Sequence, residues 1–495
     1  MKGNIYGLDL KLTQIGQKII PALIELNGTD SGTDSFRYDE GFRYYEKFVR
    51  ILGAQARGKP ILIEGWTKRA YDPLEKTVKK IQLERTFEMY KRESQRLASF
   101  FEGQFEFDYS WLDDLHRFKI AKLDETFDDT ESRFYAYAAK KAGVPLFVYT
   151  DITYHQSYLV FDLLDSRKLV LKPNDIGIIR PRTDTLYVAP SVYKHLFLNS
   201  PLIEAIMESK PLTYFLSNTF SDDLYQAFPF SFPFGFGVNN IKDLIRFMQL
   251  IPSDLVVRKR GGSYCGTGVE MLDKQKIISD LKSKTVKPIP PAKVQALLYF
   301  IKDNVINGWR LEEMVSMYEH FVPSIPLYNP KTGKYHDGCA RVMVYSPPGE
   351  KPIVLGSQWR LSTHHMKDTE ATLEDKFRVN LSRGATAMKI NPEHEAIMHD
   401  FAVGIVQRFE NAVQEFRATL APVSKQFKES RYNITETDIF RLAFWTTSLW
   451  HRMEEINAFN EKEEIINLPG FKEELENLPI LANKRRGLVY SGDAL

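Results

Sequence analysis

Two β-like runs near the N-terminus, Gly7-Leu-Asp-Leu-Lys-Leu12 and Ile19-Ile-Pro-Ala-Leu-Ile-Glu-Leu-Asn27, constrain this chain more than any other segment. The first alternates, residues 14–17 carry a turn, and the second ends at Gly28, so the pair reads as two adjacent strands. Glu25 and Asn27 stand two apart and therefore share a face, and Asp9 lies on the preceding strand. An acid set between Ala22-Leu-Ile24 and Leu26 needs a partner, because a buried charge is costly without one. Three oxygen donors converging from a hairpin suit Mg²⁺, which binds one or two carboxylates together with phosphate oxygens and water. The competing reading, polar residues at a strand end, applies best to Glu25 taken alone.

The rest of the chain divides by pattern. At 495 residues it exceeds one ordinary core, and 43% apolar with 26% charged residues is a globular composition. After the loop Gly28-Thr-Asp-Ser-Gly-Thr-Asp-Ser-Phe36, residues 41–189 alternate strand and helix. Residues 60–66 read as a buried strand, 72–101 as a long charged helix, and 129–142 as a helix stopping at Gly143 before the strand of Val144 to Tyr149. That alternation predicts an α/β lobe with a mainly parallel sheet. Residues 227–237, rich in Phe and Pro, exclude a central helix and read as an extended crossing. Residues 339–390 carry strands again, including one over 376–388, and the last hundred residues read as helical, with a cap at Thr435 and Asp438.

Several function classes are excluded or disfavoured. A net charge of +2 from 66 basic and 64 acidic residues gives no dense basic stripe for nucleic acid. No apolar run spans a bilayer, and the start lacks a signal-peptide core, so no membrane association is expected. Two isolated cysteines, Cys265 and Cys339, fit reduced thiols in a cytoplasmic protein.

Two further groups of residues carry possible chemistry. In Asp254 to Leu272 a strand delivers Lys259 into a loop holding Gly261, Gly262, Ser263, Gly266 and Gly268, and a second strand leaves. Glycines let backbone N–H groups close on a polyphosphate, and the lysine neutralises its charge. A purely structural Gly-rich hairpin explains the same pattern equally well. Arg341, Arg360, Arg378, Asn380 and Arg383 fall on the late strands, where Arg341 and Arg360 can face one cleft and clamp a phosphate. Taken singly, each is an ordinary surface arginine. The pair His364-His365 has no third ligand at metal spacing and reads as loop.

The order of these segments resembles that of ATP-grasp enzymes, over residues 1–30 and 190–415. Ordinary members end on an Asp strand and a Glu-x-Asn strand; here that pair stands at the front. In this the chain resembles the circularly permuted ATP-grasp proteins, including the synthetase part of glutathionylspermidine synthase. The resemblance implies an α+β/α/β fold. Residues 1–34 would be displaced metal-binding strands, 35–189 an inserted α/β lobe on the substrate side, 190–415 the nucleotide-binding lobes and 416–495 a helical C-terminal region.

Carried over by position, Asp9, Glu25 and Asn27 would hold Mg²⁺, and Lys210 and Lys259 would contact ATP under the lid 261–268. Glu319, His320 and Phe321 would offer backbone groups to adenine, and Arg360 with Arg341 would stabilise the transferred phosphoryl. Thr29, Ser31 and Asn380 would touch substrate. Arg258 and Arg260 flank Lys259 where a proline is usual after the lysine, so that assignment can shift by one residue. The implied activity is Mg-ATP-dependent joining of a small-molecule or peptide carboxylate to an amine through an acyl-phosphate. The alternatives are a small-molecule kinase on the same fold and a non-catalytic protein using a relic cleft.

Overall fold

The computed structural model describes residues 2–28, 41–65, 130–182, 191–208, 231–234, 254–260, 269–282, 316–379 and 385–429, with isolated positions between them. The N-terminal hairpin is its organising element. β1 (Asn4–Ile15) and β2 (Lys18–Asn27) are joined through Gly16, whose φ of +63° suits a tight hairpin turn and strains any residue with a Cβ. A lone hairpin is marginal in water, and β1 escapes that limit by pairing on its other edge with β14 (Gly338–Ser346). With β15 (Ile353–Leu361) and β16 (Thr386–Met388) this makes an antiparallel sheet of order β16-β15-β14-β1-β2. Ile5, Tyr6, Leu8, Leu10 and Leu12 are buried because both edges and both faces of β1 are covered.

One face of this sheet lies under a long C-terminal helix, α6 (Pro392–Glu429). Met398, Ala402, Ile405, Val406, Phe409, Val413 and Phe416 form its buried stripe at helical spacing. Phe409 meets Tyr6 edge-on at 5.7 Å, and Glu410 accepts hydrogen bonds from Asn4 Nδ2 (3.1 Å), the Tyr6 hydroxyl (2.8 Å) and Ser346 Oγ (2.9 Å). The helix runs unbroken through residue 416.

The other face is apolar at one end. There Ile5, Met343, Tyr345 and Leu355 pack on α1 (Gly41–Ala56) and α2 (Thr130–Ala142) through Tyr44, Tyr45, Phe48, Leu52, Phe134 and Tyr135. Those two helices in turn cover the α/β sheet, of order β6-β5-β4-β3-β7. Its strands are β3 (Ile61–Glu64), β4 (Leu146–Tyr154), β5 (Leu159–Leu163), β6 (Lys168–Leu171) and β7 (Ile178–Arg180). β4, β3 and β7 are parallel, whereas β5 and β6 fold back antiparallel. The sheet is therefore mixed where a mainly parallel one was expected: the short links after Tyr154 and Leu163 leave no room for a crossover helix. α2 ends at Gly143 (φ +66°), as its sequence predicts.

A third, antiparallel sheet has the order β10-β9-β11-β8, from β8 (Ser231–Phe234), β9 (Leu255–Arg260), β10 (Val269–Asp273) and β11 (Ser316–His320). The Phe/Pro run supplies β8 at the edge of this sheet, the position in which a sheet tolerates proline. Two shorter elements follow β11, β12 (Leu327–Asn329) paired with β13 (Lys334–His336), and the described residues also include helices α3 (Pro201–Glu208) and α4 (Lys274–Lys282).

The strand expected over 376–388 is corrected. Residues Leu373–Phe377 form a short helix, α5, and among the described residues of that segment Thr386–Met388 is the strand. Thr372 caps that helix by accepting from Asp375 N (3.2 Å), and Glu374 and Asp375 favour its N-terminal turn. Most of the helix expected over 72–101, and the cap at Thr435, lie outside the described residues. Among the described residues no helix is long and apolar enough to cross a membrane.

Candidate functional site

The face of the first sheet that is apolar around Ile5 and Met343 becomes charged toward Asp9. Strand alternation places Ile5, Gly7, Asp9 and Lys11 on one side of β1, and Asp9 is directly opposite Arg341 on β14 and Glu25 on β2. Arg341 grips both oxygens of Asp9, with Nε–Oδ1 at 2.5 Å and Nη2–Oδ2 at 2.9 Å, and Arg360 Nη1 stands 3.8 Å from Oδ1. Burial would raise the Asp9 carboxyl, but the Arg341 and Arg360 guanidiniums, helped by Lys259, hold it below its ordinary range. Burial works against the charge on Arg341 too, and Asp9 and Glu25 more than restore it.

A β-bulge shapes the opposite edge. Glu25 pairs with Asp9 while Leu23 pairs with Leu10, so Ile24 is an extra residue on β2. Its carbonyl accepts a hydrogen bond from Lys259 Nζ at 3.0 Å. Lys259 comes from β9 in the third sheet, so this bond brings the two antiparallel sheets together at the charged face. The same Nζ is 2.7 Å from Glu319 Oε2 on β11, with both side chains almost fully buried. Arg258, the neighbour that could have taken this place, turns to the other side and pairs with Glu270 on β10.

Lys11 is a site-facing residue that the sequence reading missed. Its Nζ lies 2.6 Å from Asp337 Oδ2 and 5.8 and 5.9 Å from the ring centroids of Phe321 and Phe377. Asp337, fully buried, also accepts from Ser324 N at 2.8 Å, and Ile325 N donates to Leu12 O at 2.7 Å. The segment after β11 is thereby strapped to β1. A signal was available: Lys11 is two residues from Asp9, the spacing that paired Glu25 with Asn27. Cys339, on the neighbouring strand, is buried, and burial with the Asp9 charge pushes its thiol well above the ordinary range.

Other expected residues are placed differently. Glu319 and His320 are inside a central strand, Glu319 facing Val257 and Ser231, and Glu319 contributes a side chain where only backbone groups were expected. Phe321 follows directly and packs edge-on against Phe377 at 4.5 Å. Arg378 is no part of a strand clamp, because α5 directs it to Asp375 at 3.0 Å. Thr29, Ser31, Lys210, Gly262, Ser263, Gly266, Gly268, Asn380 and Arg383 lie outside the described residues.

The donor set fits a divalent cation in part. Among the described residues no three His, Cys, Asp or Glu side chains are grouped to hold an ion. Asp9, expected as a metal ligand, has both oxygens engaged by Arg341, and Glu25 and Asn27 are the other two expected donors, both on β2. Among the described residues Asn27 Nδ2 makes a long bond, 3.4 Å, to Gly7 O, and an amide oxygen is a donor type suited to a cation.

Comparison with known proteins adds little. No protein family matches the sequence, and no curated protein matches it. Among solved structures, one that matches is a glutathione synthetase-like effector from Globodera pallida in its apo form, at 9% identity and a TM-score of 0.32, covering 72% of each chain. A likeness at that score fixes neither fold nor function. What stands is a mixed α/β chain in which two antiparallel sheets meet at a charged cluster of buried Lys259, Glu319, Arg341 and Arg360 with half-buried Asp9 and Glu25.

Proposed function

We propose that the protein is a Mg-ATP-dependent carboxylate–amine ligase of the ATP-grasp kind, with its closing strands moved to the N-terminus. One observation carries this reading. The N-terminal hairpin completes a sheet begun by the late strands, so that Asp9 and Glu25 stand beside Arg341, with Lys259 arriving from a second antiparallel sheet. Nucleotide held between two such sheets would meet Arg341, Arg360, Asp9 and Glu25 from one and Lys259 from the other.

In this reading Lys259 and the glycine loop 261–268 would take the ATP phosphates, with Lys210 as a second cation. Glu25 and Asn27 would hold the magnesium, which supplies charge neutralisation to the phosphates. Arg360 would face the transferred γ-phosphoryl as it passes to an oxygen of the substrate carboxylate, releasing ADP. Arg341 would act through Asp9, keeping its carboxylate ionised and oriented. An uncharged amine would then attack the acyl carbon and expel phosphate, its proton leaving to solvent or product. Closure of the glycine loop would keep water from the acyl-phosphate. Thr29, Ser31 and Asn380 would bind substrate, and a reduced cytoplasmic setting suits the two thiols.

The decisive assay incubates the chain with Mg-ATP and candidate acids, with and without amines. A ligase releases phosphate stoichiometrically only when both are present. A stable phosphorylated acid formed without amine would instead establish the kinase alternative. No ATP binding at all would end both readings.

A further inference from the structure

β2 carries one residue more than its pairing with β1 requires. From the turn outward the ladder is regular, with Ile15 opposite Lys18 through to Leu10 opposite Leu23. Continued without a break, it would set Ile24 opposite Asp9 and Glu25 opposite Leu8. Leu8 is fully buried and shares the side of β1 on which Tyr6 meets Phe409 of α6, so Glu25 would then lie on an apolar face. The observed ladder instead resumes with Glu25 opposite Asp9 and Leu26 opposite Leu8, and Ile24 is passed over.

A bulge interrupts the ladder and leaves backbone groups that need other partners. The Ile24 carbonyl is met by a side chain, Lys259 Nζ at 3.0 Å, from a strand of another sheet and 235 positions away in sequence. Lys259 is 6% exposed, and its ammonium is held between acceptors from two sheets, Ile24 O from the first and Glu319 Oε2, at 2.7 Å, from the third. A lysine stem has several rotatable bonds, and two fixed directions on its ammonium determine where the charge stands. It stands near enough to Asp9 to help keep that carboxylate ionised. The carbonyl, being neutral, contributes position without adding negative charge.

We propose that Ile24 is a positioning residue acting through its backbone: the carbonyl of the bulge sets the Lys259 ammonium where an anionic polyphosphate would be met between the two sheets. A β2 without the extra residue would pair regularly with β1 and would remove that acceptor from Lys259. The role toward a polyphosphate rests on the reading of Lys259 as a nucleotide contact; the tether itself does not.

Deletion of Ile24 from the full chain tests this, because Leu23 and Glu25 already have their partners on β1 and can close up as a regular ladder. The unfolding midpoint is expected at or above that of the wild type. Acetylation of Lys259 by acetic anhydride, read by mass spectrometry without nucleotide, should be about tenfold faster, and Mg-ATP binding by calorimetry about tenfold weaker, the factor of one hydrogen bond to a charged group. An unchanged acetylation rate overturns the tether, and faster acetylation with full Mg-ATP affinity overturns the positioning role. A deletion that prevents folding overturns the proposal too, by making the bulge a requirement of the fold. One check needs no variant: wild-type Lys259 reacting as fast as Lys168, whose side chain is 57% exposed, also overturns the tether. A wild type that binds no Mg-ATP refutes the ligase reading and the polyphosphate role together, while acetylation still decides the tether.

Discussion

Arg341 holds both carboxylate oxygens of Asp9, across two strands that lie 332 residues apart in sequence. Each residue is expensive to bury alone, and each removes most of that expense from the other. Arg341→Ala therefore leaves a buried carboxylate and is expected to cost about 3–5 kcal/mol of folding stability. Urea unfolding at neutral pH measures it; a loss below 1 kcal/mol contradicts the pairing.

The same pair sets an acid limit. Asp9 has a folded pKa below its ordinary 3.8. Its contribution is thus fully present above that value and disappears as pH falls through the lower folded one. Asp9→Asn should remove this component, flattening the stability curve below about pH 4. An unchanged acid slope would show that other carboxylates account for it.

Lys259 is the tie between the two antiparallel sheets. Replacing it with Met deprives buried Glu319 of its Lys259 partner and frees the Ile24 carbonyl. The expected result is a stability loss of about 3–5 kcal/mol together with weaker ATP binding. Lys259→Met/Glu319→Leu should regain stability, since an apolar pair of similar volume replaces the ion pair, but not nucleotide affinity. Recovery of both would make Lys259 structural only.

Glu25→Gln probes the metal reading with little change in shape. Magnesium-dependent ATP turnover should fall by about two orders of magnitude or more, a few kcal/mol of charge stabilisation, while the unfolding midpoint stays close to wild type. Full turnover in this variant rules out Glu25 as a ligand.

Gly28 is a packing constraint. A Cβ there would sit 2.1 Å from Glu204 Oε2, and Glu204 is fully buried and held by Asn199 Nδ2 at 2.9 Å. Gly28→Ala is expected to cost about 1–3 kcal/mol through overpacking. Chemical denaturation reads this directly, and a neutral result would mean that Glu204 moves freely.

Much of the local structure was legible in the chain. The alternation of Gly7 to Leu12, the turn at Gly16, the stop at Gly143 and the strand–loop–strand around Lys259 are short-range patterns, governed by side-chain period and backbone sterics. The shared face of Glu25 and Asn27 needed only a strand period of two, whereas Asp9 joins it because the bulge at Ile24 shifts the register by one. Residues 376–388 misled because apolar alternation there competes with a Thr372 cap and an acidic first turn, and the cap prevailed.

What the sequence by itself determined, then, is the N-terminal strand pair, the strands around Lys259 and those carrying Arg341 and Arg360, and which charged groups lie on apolar runs. Only the tertiary structure decided that Asp9 pairs with Arg341, that a bulge at Ile24 turns a carbonyl toward Lys259, and that Lys11 meets Asp337. The physical reason is that a buried charge demands a partner, but its identity depends on which strand edge is nearest in space. For β1 that edge is β14, more than three hundred residues further along the chain.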